Sequence, residues 1–278
     1  MEAAIIFDSY RPKALRRALQ YAGDDGFVAS MPQLLQARAN ASYEDIIWNT
    51  WFYANSEENL VKTPQGNRVV VVVHGGGIYG SPERFEKLYR ADVDRLNPEG
   101  LTGEFTGKIT EREAYDVLHG KLPDGTEVPI FPFEEFKQGI ANLPMRFGVV
   151  LDFELARKAK SGFEAFDILK DDPNMIVRAG GVEAAAAYLD QARDRQNTKL
   201  MGNWHPHNRI DPNQLQTRIL FLAGNSGASD TEDNEDHPWG YDAKYGISGN
   251  ESIIGLGRYV ALSPRNESTG VRFLDFCL

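Results

Sequence analysis

Arg68-Val-Val-Val-Val-Val-His-Gly-Gly-Gly77, followed by Ile78-Tyr-Gly and Ser81-Pro-Glu83, is the most strand-like stretch of the chain. β-Branched side chains are stiff at χ1 and favour a pleated backbone. An unbroken apolar run suits a strand covered on both faces, as in the middle of a parallel sheet. Three glycines break the strand, and Ser81 and Pro82 supply the cap and first turn of a helix. A strand, a glycine loop and a helix start can turn backbone N–H groups towards an anion.

Working outward, helical periodicity and start signals place helices at 12–22, from Ser30 with Pro32, from Ser42 to about Asn55, at 82–96, at 111–119 and at Val182–Arg195. Further buried-type strands are expected at Met145–Phe153, Asn174–Ala179 and Arg218–Ala223, with closing strands at Gly257–Leu262 and Val271–Phe276. Thr126–Phe131 reads as a strand and Phe133–Gly139 as a short helix. Strands alternating with helices imply an α/β fold: a largely parallel twisted sheet with helices on both faces, the C-terminal strands being candidates for antiparallel addition. The expectation is a single domain over 1–278, with a helical N-terminal part, 1–67, packed on the sheet.

The chain has 278 residues, a net charge of −10 and one cysteine, Cys277. The acidic balance argues against nucleic acid or an anionic membrane as the main partner. One cysteine excludes an intrachain disulfide and a cysteine-rich zinc site, and fits a reducing compartment. The start, Met1-Glu-Ala-Ala-Ile-Ile-Phe-Asp8, is not expected to be a signal peptide, and no apolar run approaches a membrane span. The expectation is a soluble, cytoplasmic protein, with a homo-oligomer left open.

Four groups carry candidate chemistry. His74 with Gly75, Gly76 and Gly77 could hold a phosphate, although the Gly-Lys-Ser/Thr of a P-loop and the Gly-x-Gly-x-x-Gly of dinucleotide folds are both missing. Asp152 and Glu154, two apart at a strand end, could aim together as acid/base partners or as ligands of a divalent metal ion; the plainer reading is a helix cap and a first-turn acid. Arg178 with Gly180 and Gly181 could clamp a phosphate or carboxylate. His205, His207 and Asp211 are candidate metal ligands without a strong metal spacing. The acidic run Asp230–Asp236 reads as a solvated loop.

His74-Gly-Gly-Gly77 resembles the oxyanion loop of α/β-hydrolase lipases and esterases. The resemblance implies a Gly-x-Ser-x-Gly nucleophile elbow, and the nearest stretch, Gly224-Asn-Ser-Gly-Ala228, lacks the final glycine. Leu151-Asp-Phe-Glu154 resembles the strand-end acids of barrel glycosidases, without that family's preceding acids.

In a parallel sheet the strand C-termini share one edge, and ligands bind there. The sequence therefore predicts a crevice in which the glycines and Arg178 hold an anion and His74, Asp152 or Glu154 does the chemistry. The expectation is an enzyme, a hydrolase or transferase, acting on a phosphorylated or nucleotide-like small molecule at that edge. Two alternatives are a non-catalytic small-molecule-binding or regulatory protein, and a structural or assembly protein.

Overall fold

The computed structural model describes residues 1–42, 44–93, 107–195, 200–205, 207, 210–223, 247–248 and 257–264. In chain order the elements are β1 (Glu2–Asp8), α1 (Arg11–Ala22), β2 (Phe27–Val28), α2 (Met31–Asn40), α3 (Ile46–Asn49), β3 (Phe52–Lys62), β4 (Arg68–His74) and α4 (Pro82–Val93). There follow β5 (Gly107–Lys108), α5 (Glu111–Leu118), β6 (Ile130–Pro132), α6 (Phe133–Phe136), β7 (Phe147–Asp152), α7 (Phe153–Lys158), β8 (Gly162–Ala165) and α8 (Phe166–Leu169). The remainder are α9 (Pro173–Ala179), α10 (Val182–Arg195), β9 (Leu200–Trp204), β10 (Gln216–Leu222), β11 (Ile247–Ser248) and β12 (Gly257–Ser263).

The expected parallel sheet is corrected. The larger sheet runs β6-β7-β4-β3-β10-β11-β9-β8, and its central pairs β7/β4, β4/β3 and β3/β10 are all antiparallel. Among the described strands only β6/β7 and β11/β9 run parallel. A second sheet, β1-β12-β2, is antiparallel and joins the two ends of the described chain. The valine strand is covered on both faces as its unbroken apolar run requires, but double-sided burial does not imply parallel neighbours. Val70 and Val72 enter one core with α2, α9 and α10; Val69, Val71 and Val73 enter another with α1, α4 and α5.

β3 overturns the expected N-terminal helical part. The helix read from Ser42 to about Asn55 is only α3, and the chain then becomes the long central strand. Thr63–Asn67 is a hairpin turn closed by Gly66 N–H on Thr63 O at 2.8 Å and Thr63 N–H on Asn67 O at 2.8 Å. It sets Val61 opposite Val69 and Ser56 opposite His74.

Residues 173–179 are a helix, α9, where a strand was expected. Pro173 stands in its first turn and the Asp172 side chain accepts from Met175 N–H, so the cap outweighs the β-branched Ile176 and Val177. Gly180 ends it at φ 90°, and a Cβ there would lie 2.9 Å from Pro32 of α2. The expected surface connection at 97–106, the stretch Gly224–Ala228, the acidic run 230–236 and the strand 271–276 lie outside the described residues.

Candidate functional site

β3 carries Ser56-Glu-Glu-Asn59 through the middle of the sheet, and all four are buried. Alternation sends Glu57 and Asn59 to one face and Ser56 and Glu58 to the other. Each face builds a polar cluster around its acid.

On the first face the Glu57 carboxylate accepts from Ile78 N–H at 2.9 Å, Tyr79 N–H at 2.8 Å and Asn59 Nδ2 at 3.0 Å. Gly75 and Gly76 N–H both donate to Asn55 O, at 2.8 and 3.2 Å. Gly77 has φ 118°, and a Cβ there would stand 2.3 Å from the Glu57 carboxyl carbon. The amides just past the glycines, those of Ile78 and Tyr79, are turned to a carboxyl group, and it is the chain's own. Burial pushes Glu57 up to about 7 against the three bonds it accepts.

On the second face Arg178 Nε donates to Glu58 Oε1 at 2.8 Å, with Nη2 at 2.7 Å from the same oxygen. Arg178 Nη1 donates to Asn203 Oδ1 at 2.9 Å, and Asn203 Nδ2 to Asp172 Oδ1 at 3.3 Å. His207 Nε2 lies 3.4 Å from Glu58 Oε2. Burial works to raise Glu58, but Arg178 and His207 outweigh it and hold the carboxyl well below the usual carboxylate range.

His74 joins the same face. Its Nε2 is 3.0 Å from Val177 O, which can only accept, so the proton sits on Nε2. Nδ1 is then left to accept from Ser56 Oγ at 2.9 Å, while Ser56 Oγ accepts from Met31 N–H. Burial pushes His74 down to about 4, so it is neutral and both ring nitrogens are in use.

The structure thus brings His74 and Arg178 towards Glu58, and separates them from the other candidates. Asp152 pairs with Val69 and Phe147 with His74, five positions away on an antiparallel ladder. At about 3.4 Å per residue this is about 17 Å. Asp152 caps α7, accepting from Glu154 N–H at 2.8 Å and Leu155 N–H at 3.2 Å. Glu154 is exposed, pairs with Arg157 at 3.3 Å, and lines with Asp152 a surface depression of about 560 Å³ beside Arg68. Gly180 and Gly181 close the end of α9 on Val177 O and Ile176 O and border a different depression, about 580 Å³, at the start of α10. His205 and His207 are stacked and buried, with His205 Nε2 donating to Ala159 O at 3.0 Å; Asp211 instead accepts from Asn213 N–H. Burial and His207 push His205 down to about 3. Among the described residues no group of three or more His, Cys, Asp or Glu side chains could hold a metal ion.

Sequence reasoning missed Glu57, Glu58 and Asn59. The available signal was the turn at Thr63–Asn67: a hairpin turn before a strand demands a partner strand of similar length before it, and that partner is Phe52–Lys62.

Among the described residues no helix is long and apolar enough to cross a membrane. No family model matches the sequence, and no curated protein matches it. Among solved structures, the chain is similar to a protein described as accommodating massive sequence variation in Nanoarchaeota by the C-type lectin fold. The TM-score is 0.61 at 21% identity, covering 93% of this chain and 96% of that one. The expectation of a hydrolase or nucleotide-binding enzyme is therefore corrected. It rested on a parallel sheet with one ligand edge, and the sheet is mostly antiparallel. At this identity the likeness shows the fold alone, and the fold it shows is that of the C-type lectins.

Proposed function

We propose that this chain is a non-catalytic binding protein, a rigid lectin-like scaffold whose surface recognises a ligand without turning it over. One observation carries the reading. The groups that could have gripped a reacting anion are spent on the chain's own carboxylates, the loop amides on Glu57 and Arg178 on Glu58. The fold likeness supports it, since the similar nanoarchaeal protein is described as a fold that accommodates massive sequence variation. Such a fold needs an interior fixed independently of its surface, and a buried polar network supplies one.

In this reading 1–278 is one folding unit. His74, Gly75–Gly77, Arg178, Gly180 and Gly181 hold the scaffold, while Asp152 and Glu154 lie where a ligand can reach them. A cytoplasmic setting belongs to the same proposal and rests on the single cysteine. The test is to immobilise the chain and present anionic small molecules, glycans and peptides in parallel. Saturable binding, with the ligand recovered chemically unchanged, is expected; conversion of a bound ligand would sink the proposal. The three arms decide whether the partner is an anionic small molecule.

A further inference from the structure

Glu57 and Glu58 are neighbours with opposite surroundings. Glu58 has Arg178 and His207; Glu57, equally buried, has no ion-pair partner among the described residues. Its carboxylate is held by neutral donors alone. The charge that acts on it from α5 is Glu113, a like charge that disfavours ionisation of Glu57 and is itself paired with Arg84 of α4. β10 presents Thr217 and Ile219, β4 presents Val73, and the loop presents Tyr79, whose hydroxyl donates to Thr217 O at 3.3 Å. None of these is a cation.

Asn59 supplies the second half of the observation. Its Nδ2 donates to Glu57 Oε1 at 3.0 Å, while its Oδ1 is buried with no hydrogen-bond partner among the described residues. A half-turn of the amide exchanges the two atoms. It gives up the 3.3 Å bond from Nδ2 to Val71 O, turning an acceptor towards that carbonyl, and sets the same acceptor against Glu57, whose O–H must outweigh that cost. Both forms of the carboxyl then have a matching partner. The ionised form accepts from Asn59 Nδ2 and two loop amides. The protonated form donates its O–H to Asn59 Oδ1 and has lost the charge that binds the amides strongly.

We propose that Glu57 and Asn59 form a proton-operated latch on the loop Gly77–Ser81, gripped when Glu57 is ionised and loosened when a solvent proton is taken up and the Asn59 amide turns. The latch governs how firmly the start of α4, at Pro82, is held to β3. Burial places the carboxyl at about 7, so both states are populated near neutral pH.

The test is an NMR titration of the full chain between about pH 5 and about pH 9, following the Glu57 side-chain carboxyl carbon with the Ile78 and Tyr79 amides. The latch predicts a carboxyl midpoint near 7. It also predicts amide shifts with the same midpoint and about tenfold weaker protection from exchange on the acid side, after correction for intrinsic rates. Glu57→Gln should hold both amides at their acid-side positions at every pH. A carboxyl that titrates in the ordinary range of about 4 to 5, or one that titrates near 7 while the amides stay still, overturns the proposal. If Glu57→Gln does not fold, the wild-type carboxyl and amide curves decide it alone.

Discussion

Replacing Arg178 by alanine separates a ligand-gripping arginine from a scaffold arginine. Its side chain and that of Glu58 are both 0% exposed. Truncation removes the guanidinium that pairs with the buried Glu58 carboxylate and leaves the His207 ring 3.4 Å away. Breaking one side of a buried pair costs about 3–5 kcal/mol. Asn203 Oδ1 also loses the Nη1 donor, about a further 1 kcal/mol. The sum, about 4–6 kcal/mol, is a large share of the roughly 5–15 kcal/mol that holds a typical domain. Glu58→Ala should cost a similar amount. The double replacement Glu58→Leu with Arg178→Met removes both charges and keeps the volume, so it should lie within about 2 kcal/mol of wild type. Urea unfolding followed by circular dichroism and tryptophan fluorescence gives each value from the midpoint at constant slope. If Arg178→Ala unfolds within about 1 kcal/mol of wild type, the buried-pair reasoning is wrong and Arg178 is free to serve a ligand.

Gly77→Ala places a Cβ against the Glu57 carboxyl at a φ of 118°; strain and displaced amide bonds together should cost about 3–5 kcal/mol, and adding Glu57→Ala should recover part of it in the same unfolding assay. Asp152→Ala removes only the α7 cap and should cost about 1 kcal/mol, while Glu154→Gln should stay within about 0.5 kcal/mol, so a larger loss for Glu154→Gln would show a buried role that its exposure denies. pH separates the two faces. His74 and His205 are neutral in the fold, so their stabilisation is complete above the unfolded histidine value of about 6.5 and is lost as pH falls towards about 4 and about 3. Glu58, depressed by its partners, adds a loss in the same direction at lower pH. Glu57 is raised, so its contribution has the opposite sign: it is complete below the unfolded carboxyl value of about 4.5 and is lost as pH rises to about 7. Melting temperature against pH should therefore fall more steeply from 7 to 4.5 in Glu57→Gln than in wild type, and parallel curves would show that Glu57 does not titrate there.

Local signals were legible where a cap or a run of one side-chain type speaks for itself. β4 runs from Arg68 to His74 as its valines require, and α2 carries a capping box between Ser30 and Gln33. α5 carries another between Thr110 and Glu113. The path of the sheet was not legible, because its central strand is polar at its centre. Ser56-Glu-Glu-Asn59 has poor strand propensity, and only tertiary partners make it a strand: hairpin pairing to β4, Arg178 from α9 and the amides of Ile78 and Tyr79. The same blind spot governed the site. The sequence offered the loop after Val73 as a possible anion site and Arg178 as a possible clamp for a phosphate or carboxylate. It did not show that both are supplied by adjacent acids of one strand, on opposite faces.

The account stands or falls on what fills the glycine loop. The most direct measurement is an acetate titration, read at the Ile78 and Tyr79 amide resonances, of the wild-type chain and of Glu57→Ala. With Glu57 in place and ionised, on the alkaline side of its titration, the amides are occupied and should not move; with the carboxylate removed, acetate should shift both saturably and raise the melting temperature. Saturable shifts in the wild-type chain would mean that the loop is open to an external anion, and would contradict the reading of this interior as scaffold.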